Sequence, residues 1–157
     1  MKKLKKFAAL LLAGVMVMAL LTACGGGGTG EDAQAEARVM SEINAGRAVP
    51  LNNDDTAMIS IANKNLDAYL KGGLGNYGFK NNIHVDTVDG KLTITVVVKY
   101  DYGSTKLQDF IDSITDNKPD SSLDFNQSSK WTRVGVVAKT KSGQTYVAVS
   151  VQVGKLV

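Results

Sequence analysis

Cysteine, histidine and proline are scarce here: the 157 residues include one cysteine, one histidine and two prolines. A single cysteine leaves no partner for an intramolecular disulfide. The lone histidine, His84, makes a metal site only if the fold brings carboxylates to it, and Asp86 is the only one nearby on its strand face. No serine, threonine or cysteine has a base at the spacing that would activate it as a nucleophile, and Asp86 with Asp101 pairs two carboxylates only if the fold unites them. Gly72-Gly73-Leu74-Gly75 lacks the preceding strand and following helix of a phosphate loop and reads as a turn. No clustered basic face points to a nucleic-acid partner.

What the chain does have begins at its first residue. Lys2, Lys3, Lys5 and Lys6 precede an apolar run from Phe7 to Leu21, the pattern of an export signal and too short for a comfortable spanning helix. It closes on Leu21-Thr22-Ala23-Cys24, which resembles the lipobox of bacterial lipoproteins in every position. The resemblance implies removal of residues 1–23 and acylation of Cys24, placing the remainder on the outer face of a membrane. Two or three acyl chains, at about 0.8 kcal/mol per buried methylene, suffice for stable anchoring. Without the signal, 14 basic residues face 15 acidic ones, so the basic balance of the whole chain belongs to the leader. Residues 24–30, rich in glycine, read as a flexible tether, and 31–157 as one domain.

Within the domain, Val39, Met40 and Ile43 give a helical stripe over 31–46, with Glu31, Asp32 and Glu36 near its N-terminal end. A second helix starts near Asn53 or Asp54, carries Met58, Ile59, Ala62, Leu66, Tyr69 and Leu70, and ends at Gly72-Gly73. From Ile83 the period becomes two, and Asp89-Gly90 marks a tight hairpin. Leu92, Ile94, Val96, Val98 and Tyr100 alternate with Lys91, Thr93, Thr95 and Lys99, which predicts one buried face and one wet face. His84 is then a partly exposed strand residue. Ser104 caps a third helix carrying Leu107, Phe110, Ile111 and Ile114, and Pro119 ends it. Strands over 131–140 and 145–153 flank a turn at Lys141-Ser142-Gly143-Gln144. This order gives an α+β domain with an antiparallel sheet covered by helices.

Two segments resemble the CAP superfamily, the SCP-like domain of cysteine-rich secretory proteins, antigen 5 and pathogenesis-related 1 proteins. One is Val39-Met40-Ser41-Glu42-Ile43-Asn44-Ala45-Gly46-Arg47 followed by Pro50-Leu51; the other is Trp131-Thr132-Arg133-Val134-Gly135-Val136-Val137-Ala138 with its return strand. The resemblance implies an α-β-α sandwich around a three- or four-stranded antiparallel sheet, with the two opening helices on one side and the 106–116 helix on the other. It also implies a cleft with two histidines and two acidic residues, a set able to hold a divalent metal. Here Lys118-Pro119-Asp120-Ser121 stands where the family has Pro-Gly-His-Arg, and Asn81 stands where it has a glutamate.

The favoured expectation is a lipid-anchored, extracytoplasmic, non-catalytic CAP-like module with no metal and no cofactor, taking cell-wall glycan, a lipid or another protein as ligand. The alternative is a cell-envelope hydrolase with a rearranged acidic cleft built from His84, Asp86, Asp120 and Glu42, which requires those side chains to converge. A third reading is a small lipoprotein of another antiparallel-sheet fold, cystatin-like or nuclear-transport-factor-like, with one long helix wrapped by a curved sheet. Arg47 is expected to tie the loop after the first helix to a helix C-terminus. Tyr69, Tyr77, Phe79, Tyr100, Tyr102 and Trp131 supply aromatic surface, most of it core in a domain of this size.

Overall fold

The computed structural model describes residues 30–72, 82–117 and 125–154. The export segment, Cys24, the tether as far as Thr29, Tyr77, Phe79, Asn81, Pro119 and Asp120 lie outside them. The described elements are α1 (Gly30–Asn44), α2 (Thr56–Gly72), β1 (Ile83–Val88), β2 (Lys91–Tyr100), α3 (Leu107–Asn117), a short 3-10 turn (Ser128–Lys130), β3 (Trp131–Lys141) and β4 (Gln144–Val153). All strand pairs are antiparallel, in the order β1-β2-β4-β3. The result is a small α+β domain of three helices on a four-stranded antiparallel sheet.

Both hairpins close on two residues with positive φ, Asp89 and Gly90 (52° and 71°) and Ser142 and Gly143 (52° and 77°). That pair of angles matches the right-handed twist of the strands, which is why these short loops are the favoured hairpin turns. In the resulting register, His84, Thr95, Ser150 and Gly135 form one row across the sheet, and Asp86, Thr93, Gln152 and Arg133 form the next. Side chains of these rows share a face, because neighbouring strands pair residue against residue.

The two faces differ. On one, Ile94, Val96, Val136, Val149 and Val151 pack with α1 through Val39 and Ile43 and with α3 through Phe110 and Ile114. Phe125 and Trp131 close this core, and the Trp131 indole Nε1 donates to the Phe125 carbonyl at 3.1 Å. On the other face, α2 sets Ala62 and Leu66 against Val97, Val137 and Ala148. The helix lies close, because Gly135 has no side chain: a Cβ there would sit 2.3 Å from the Met58 carbonyl carbon.

Several expectations are corrected here. The layers are α-β-α, but α1 shares its side with α3 while α2 stands alone opposite, so the two opening helices do not lie together as the CAP resemblance implies. Helices on both faces equally depart from one helix wrapped by a sheet. Of the β2 face expected to be wet, Lys91 and Lys99 at its ends are exposed, but Thr93 and Thr95 are fully covered, because α2 lies over them. Gly30, expected in the tether, is the first residue of α1, and α3 starts at Leu107 rather than just after Ser104. The third helix is capped instead by acidic side chains: the Leu107 amide donates to Glu42 Oε2 at 2.6 Å and the Lys106 amide to Asp109 Oδ2 at 2.7 Å. These carboxylates meet the partial positive charge of a helix N-terminus.

Candidate functional site

Most of the buried polar side chains lie in one seam, on the α2 face at the β1 side of the sheet. Asn65 is its hub. Projecting from the middle of α2, it donates from Nδ2 to Asp86 Oδ2 and to Thr95 Oγ1, both at 2.8 Å. Thr95 and Ser150 share a hydrogen bond of 2.7 Å. Asp86 also approaches His84 Nε2 and Lys64 Nζ, each at 3.5 Å. In the next row, Gln152 donates from Nε2 to Thr93 Oγ1 at 2.8 Å and to the Val88 carbonyl at 3.1 Å. Its Oε1 is buried and has no hydrogen-bond partner among the described residues.

The helix places these groups by spacing. Ala62, Asn65, Leu66 and Tyr69 are separated by three or four residues, so one stripe of α2 meets the sheet and Asn65 takes the position over β1 and β2. The strands place theirs by alternation: Thr93 and Thr95 in β2, and Ser150 and Gln152 in β4, interrupt valine and isoleucine runs at period two.

The geometry of this seam does not pair Ser150 with His84. Ser150 and His84 belong to β4 and β1 with β2 between them, about 9.5 Å apart at the usual strand spacing, and the Ser150 hydroxyl is engaged by Thr95. His84 is 8 % exposed, which corrects the expectation of a partly exposed strand residue. Asp86 does share its face, as expected. Glu42 does not: it projects from α1 on the opposite side of the sheet and caps α3. The acidic cleft of His84, Asp86 and Glu42 is therefore not assembled, and Asp120 lies outside the described residues. Asp86 and Asp101 are not a pair either, because Asp86 faces Thr93 and Asp101 follows the far end of β2, about 25 Å along the strand. Asp101 instead receives the Gly103 amide at 3.1 Å in the turn after β2.

Arg47 serves the loop after α1, donating to the Val49 carbonyl at 3.0 Å and to the Ser128 carbonyl in the turn before β3 rather than to a helix C-terminus. Trp131 and Tyr100 are core, Tyr102 meets Tyr100 edge to face at 5.0 Å, and Tyr69 packs on Tyr146 at 5.9 Å. Among the described residues, no three of His, Cys, Asp and Glu are grouped to hold a metal ion, and no helix is long and apolar enough to cross a membrane.

The sequence pattern does not single out Asn65, Thr95, Ser150 or Gln152. The available signal was polar residues interrupting strands otherwise built from β-branched apolar ones. On an exposed face it has no meaning; under a helix it marks a hydrogen-bonded seam. No protein-family model, curated protein or solved structure matches this chain.

Proposed function

We propose that this chain is a lipid-anchored, extracytoplasmic binding module and not an enzyme. The observation that carries the reading is the commitment of Ser150, Asp86 and Glu42, among the described residues, to structural partners. Ser150 is engaged by Thr95, Asp86 by Asn65, and Glu42 by the start of α3. A general base or nucleophile needs a free approach to a reacting atom. A hydrogen-bonded seam instead specifies one packing of the helix on the sheet.

The lipobox-like Leu21-Thr22-Ala23-Cys24 supports the anchoring half. Cys24 precedes the first residue of α1 by six positions, a reach of at most about 20 Å. The fifteen residues of α1 carry the chain about 22 Å further, to the loop that contains Val49, the one large apolar residue exposed among those described. In this reading that end of the domain meets cell-envelope partners.

Mass spectrometry of the mature N-terminal peptide tests the anchor. The expected peptide begins at Cys24 and carries a diacylglyceryl group, and Cys24→Ser releases the protein from the membrane fraction. A retained leader, or an unmodified thiol at Cys24, overturns it. For the other half, protein incubated with isolated cell-wall sacculi should release no soluble fragments; released fragments overturn the non-catalytic reading.

A further inference from the structure

We propose that α2 is a detachable cover: it opens as a unit, leaving the α1–sheet–α3 body folded, and in doing so uncovers a polar sheet face.

The two faces of the sheet present different surfaces to their helices. Toward α1 and α3 it is almost wholly apolar, so parting those helices from it would wet a continuous core. Toward α2 its buried apolar side chains are Val97, Val137 and Ala148, which meet Ala62 and Leu66 of the helix with Ile59, Tyr69 and Tyr146 at the margin, a smaller cluster than the one on the other face. The rest of that buried face is Thr93, Thr95, Ser150, Gln152 and His84, groups that water can satisfy once the helix leaves. The free energy of opening scales with the apolar area wetted, and polar groups that exchange one hydrogen-bond partner for water contribute little. A helix on such a face belongs to the low-stability end of a fold's local openings.

Shared packing points the same way. Side chains of α1 and α3 enter one cluster with Phe125 and Trp131, so neither leaves without disturbing the other. Among the described residues, α2 has no helical neighbour on its face. Its ties to the sheet at either end are exposed or half-buried ion pairs and hydrogen bonds. Near its start, Arg133 grips Asp55 at 2.6 and 2.9 Å; near its end, Lys139 meets Asp67 at 2.6 Å and Lys141 donates to the Leu70 carbonyl. Such contacts break and re-form without loss of core. The close seat of Met58 on Gly135 marks where α2 returns, because a residue with a Cβ at that position would overlap the Met58–Ile59 main chain.

Hydrogen–deuterium exchange on the full chain tests this directly. Amides in the middle of α2, at Ala62 and Leu66, are expected to exchange at least about tenfold faster than those at Val39 and Ile43 in α1 or at Val149 in β4. Asp55→Asn keeps an oxygen able to cap the helix but removes the charge that Arg133 grips. It is expected to speed exchange in α2 alone by a factor of about 2 to 5, with α1 and β4 unchanged. If α2 and α1 exchange at one rate in the parent chain, or if Asp55→Asn speeds all three elements equally, the domain opens only as a whole and the proposal fails. Lys139→Met, which leaves the cap intact and loosens the other end, is the second variant; an increase confined to α2 supports the cover, and an equal increase everywhere overturns it.

Discussion

Asn53 and Val136 are hydrogen-bonded twice, the carboxamide Nδ2 donating to the Val136 carbonyl and the Val136 amide donating to Oδ1, each at 2.8 Å. The side chain thus repeats the bonding of a neighbouring strand. β3 is an edge of the sheet, and an edge with unpaired backbone groups is a template for association. Two residues on, the Ala138 amide donates to Glu36 Oε1 at 2.8 Å, so α1 and the loop before α2 block the edge together.

Asn53→Ala leaves the Val136 amide and carbonyl without that partner. The expected loss is about 1–3 kcal/mol in urea unfolding. Light scattering should also show more self-association, since the edge is reopened. An unchanged midpoint and unchanged scattering would mean that water replaces the carboxamide without cost.

Gly135→Ala puts a methyl group against main chain that no rotamer change can move, 2.3 Å from the Met58 carbonyl carbon and 2.5 Å from its oxygen. α2 must then shift off the sheet, and overpacking of this kind costs about 3 kcal/mol. Urea unfolding of this variant beside Gly103→Ala checks the cause, because a Cβ at Gly103 meets only the Asp101 Oδ1 side-chain atom at 3.7 Å.

Asn65→Ala removes the donor shared by Asp86 and Thr95. The Thr95 hydroxyl keeps Ser150, but a partly buried carboxylate loses its amide, and the expected destabilisation is about 2 kcal/mol. Denaturant unfolding measures it. A loss of the size found for an exposed helix substitution would show that the seam contributes nothing to stability.

Acid unfolding separates two carboxylates of opposite character. The hydrogen bonds from Arg133 lower the Asp55 pKa against a smaller opposing effect of burial. With its folded pKa below the unfolded value of about 3.9, Asp55 contributes stability that is fully present above that value and is lost as pH falls through the folded pKa. Asp55→Asn should therefore be less stable than the parent at neutral pH, and the gap should narrow in acid. Burial raises the Glu36 pKa, in part offset by the Ala138 amide, so its ionised form costs stability at neutral pH and the cost disappears as pH falls through the raised value. Gln at 36 keeps an acceptor for the Ala138 amide without the charge. Glu36→Gln is expected to be the more stable protein at pH 7 and to lose that advantage in acid. Thermal midpoints at a series of pH values check both signs.

Much of the fold was legible in the residues. The helical stripe at Val39, Met40 and Ile43, the two turn pairs Asp89-Gly90 and Ser142-Gly143, and the alternation from Lys91 to Tyr100 each belong to short-range geometry, and each element formed where its pattern lay. Helix starts were less legible, because the groups that satisfy a first turn can come from elsewhere. Asp55 caps α2 from within the chain's own turn, with the Met58 amide at 3.2 Å, while Glu42 reaches α3 from another helix. The seam was the least visible. Thr93 and Thr95 alternate as the solvent face of an amphipathic strand does, and no local feature records that α2 will be laid over them.

By itself the sequence determined the element order, the hairpin turns, the apolar face of the sheet and the resemblance of residues 21–24 to a lipobox, since each depends on neighbours a few positions apart. Only the tertiary structure decided which helix covers which face, and with it the burial of His84, the bonding of Asn65 to Asp86 and Thr95, and the separation of Glu42 from both. A helix can pack on either side of a sheet whose two faces are each partly apolar. The choice rests on contacts as distant in sequence as Gly135 with Met58, which no local period encodes.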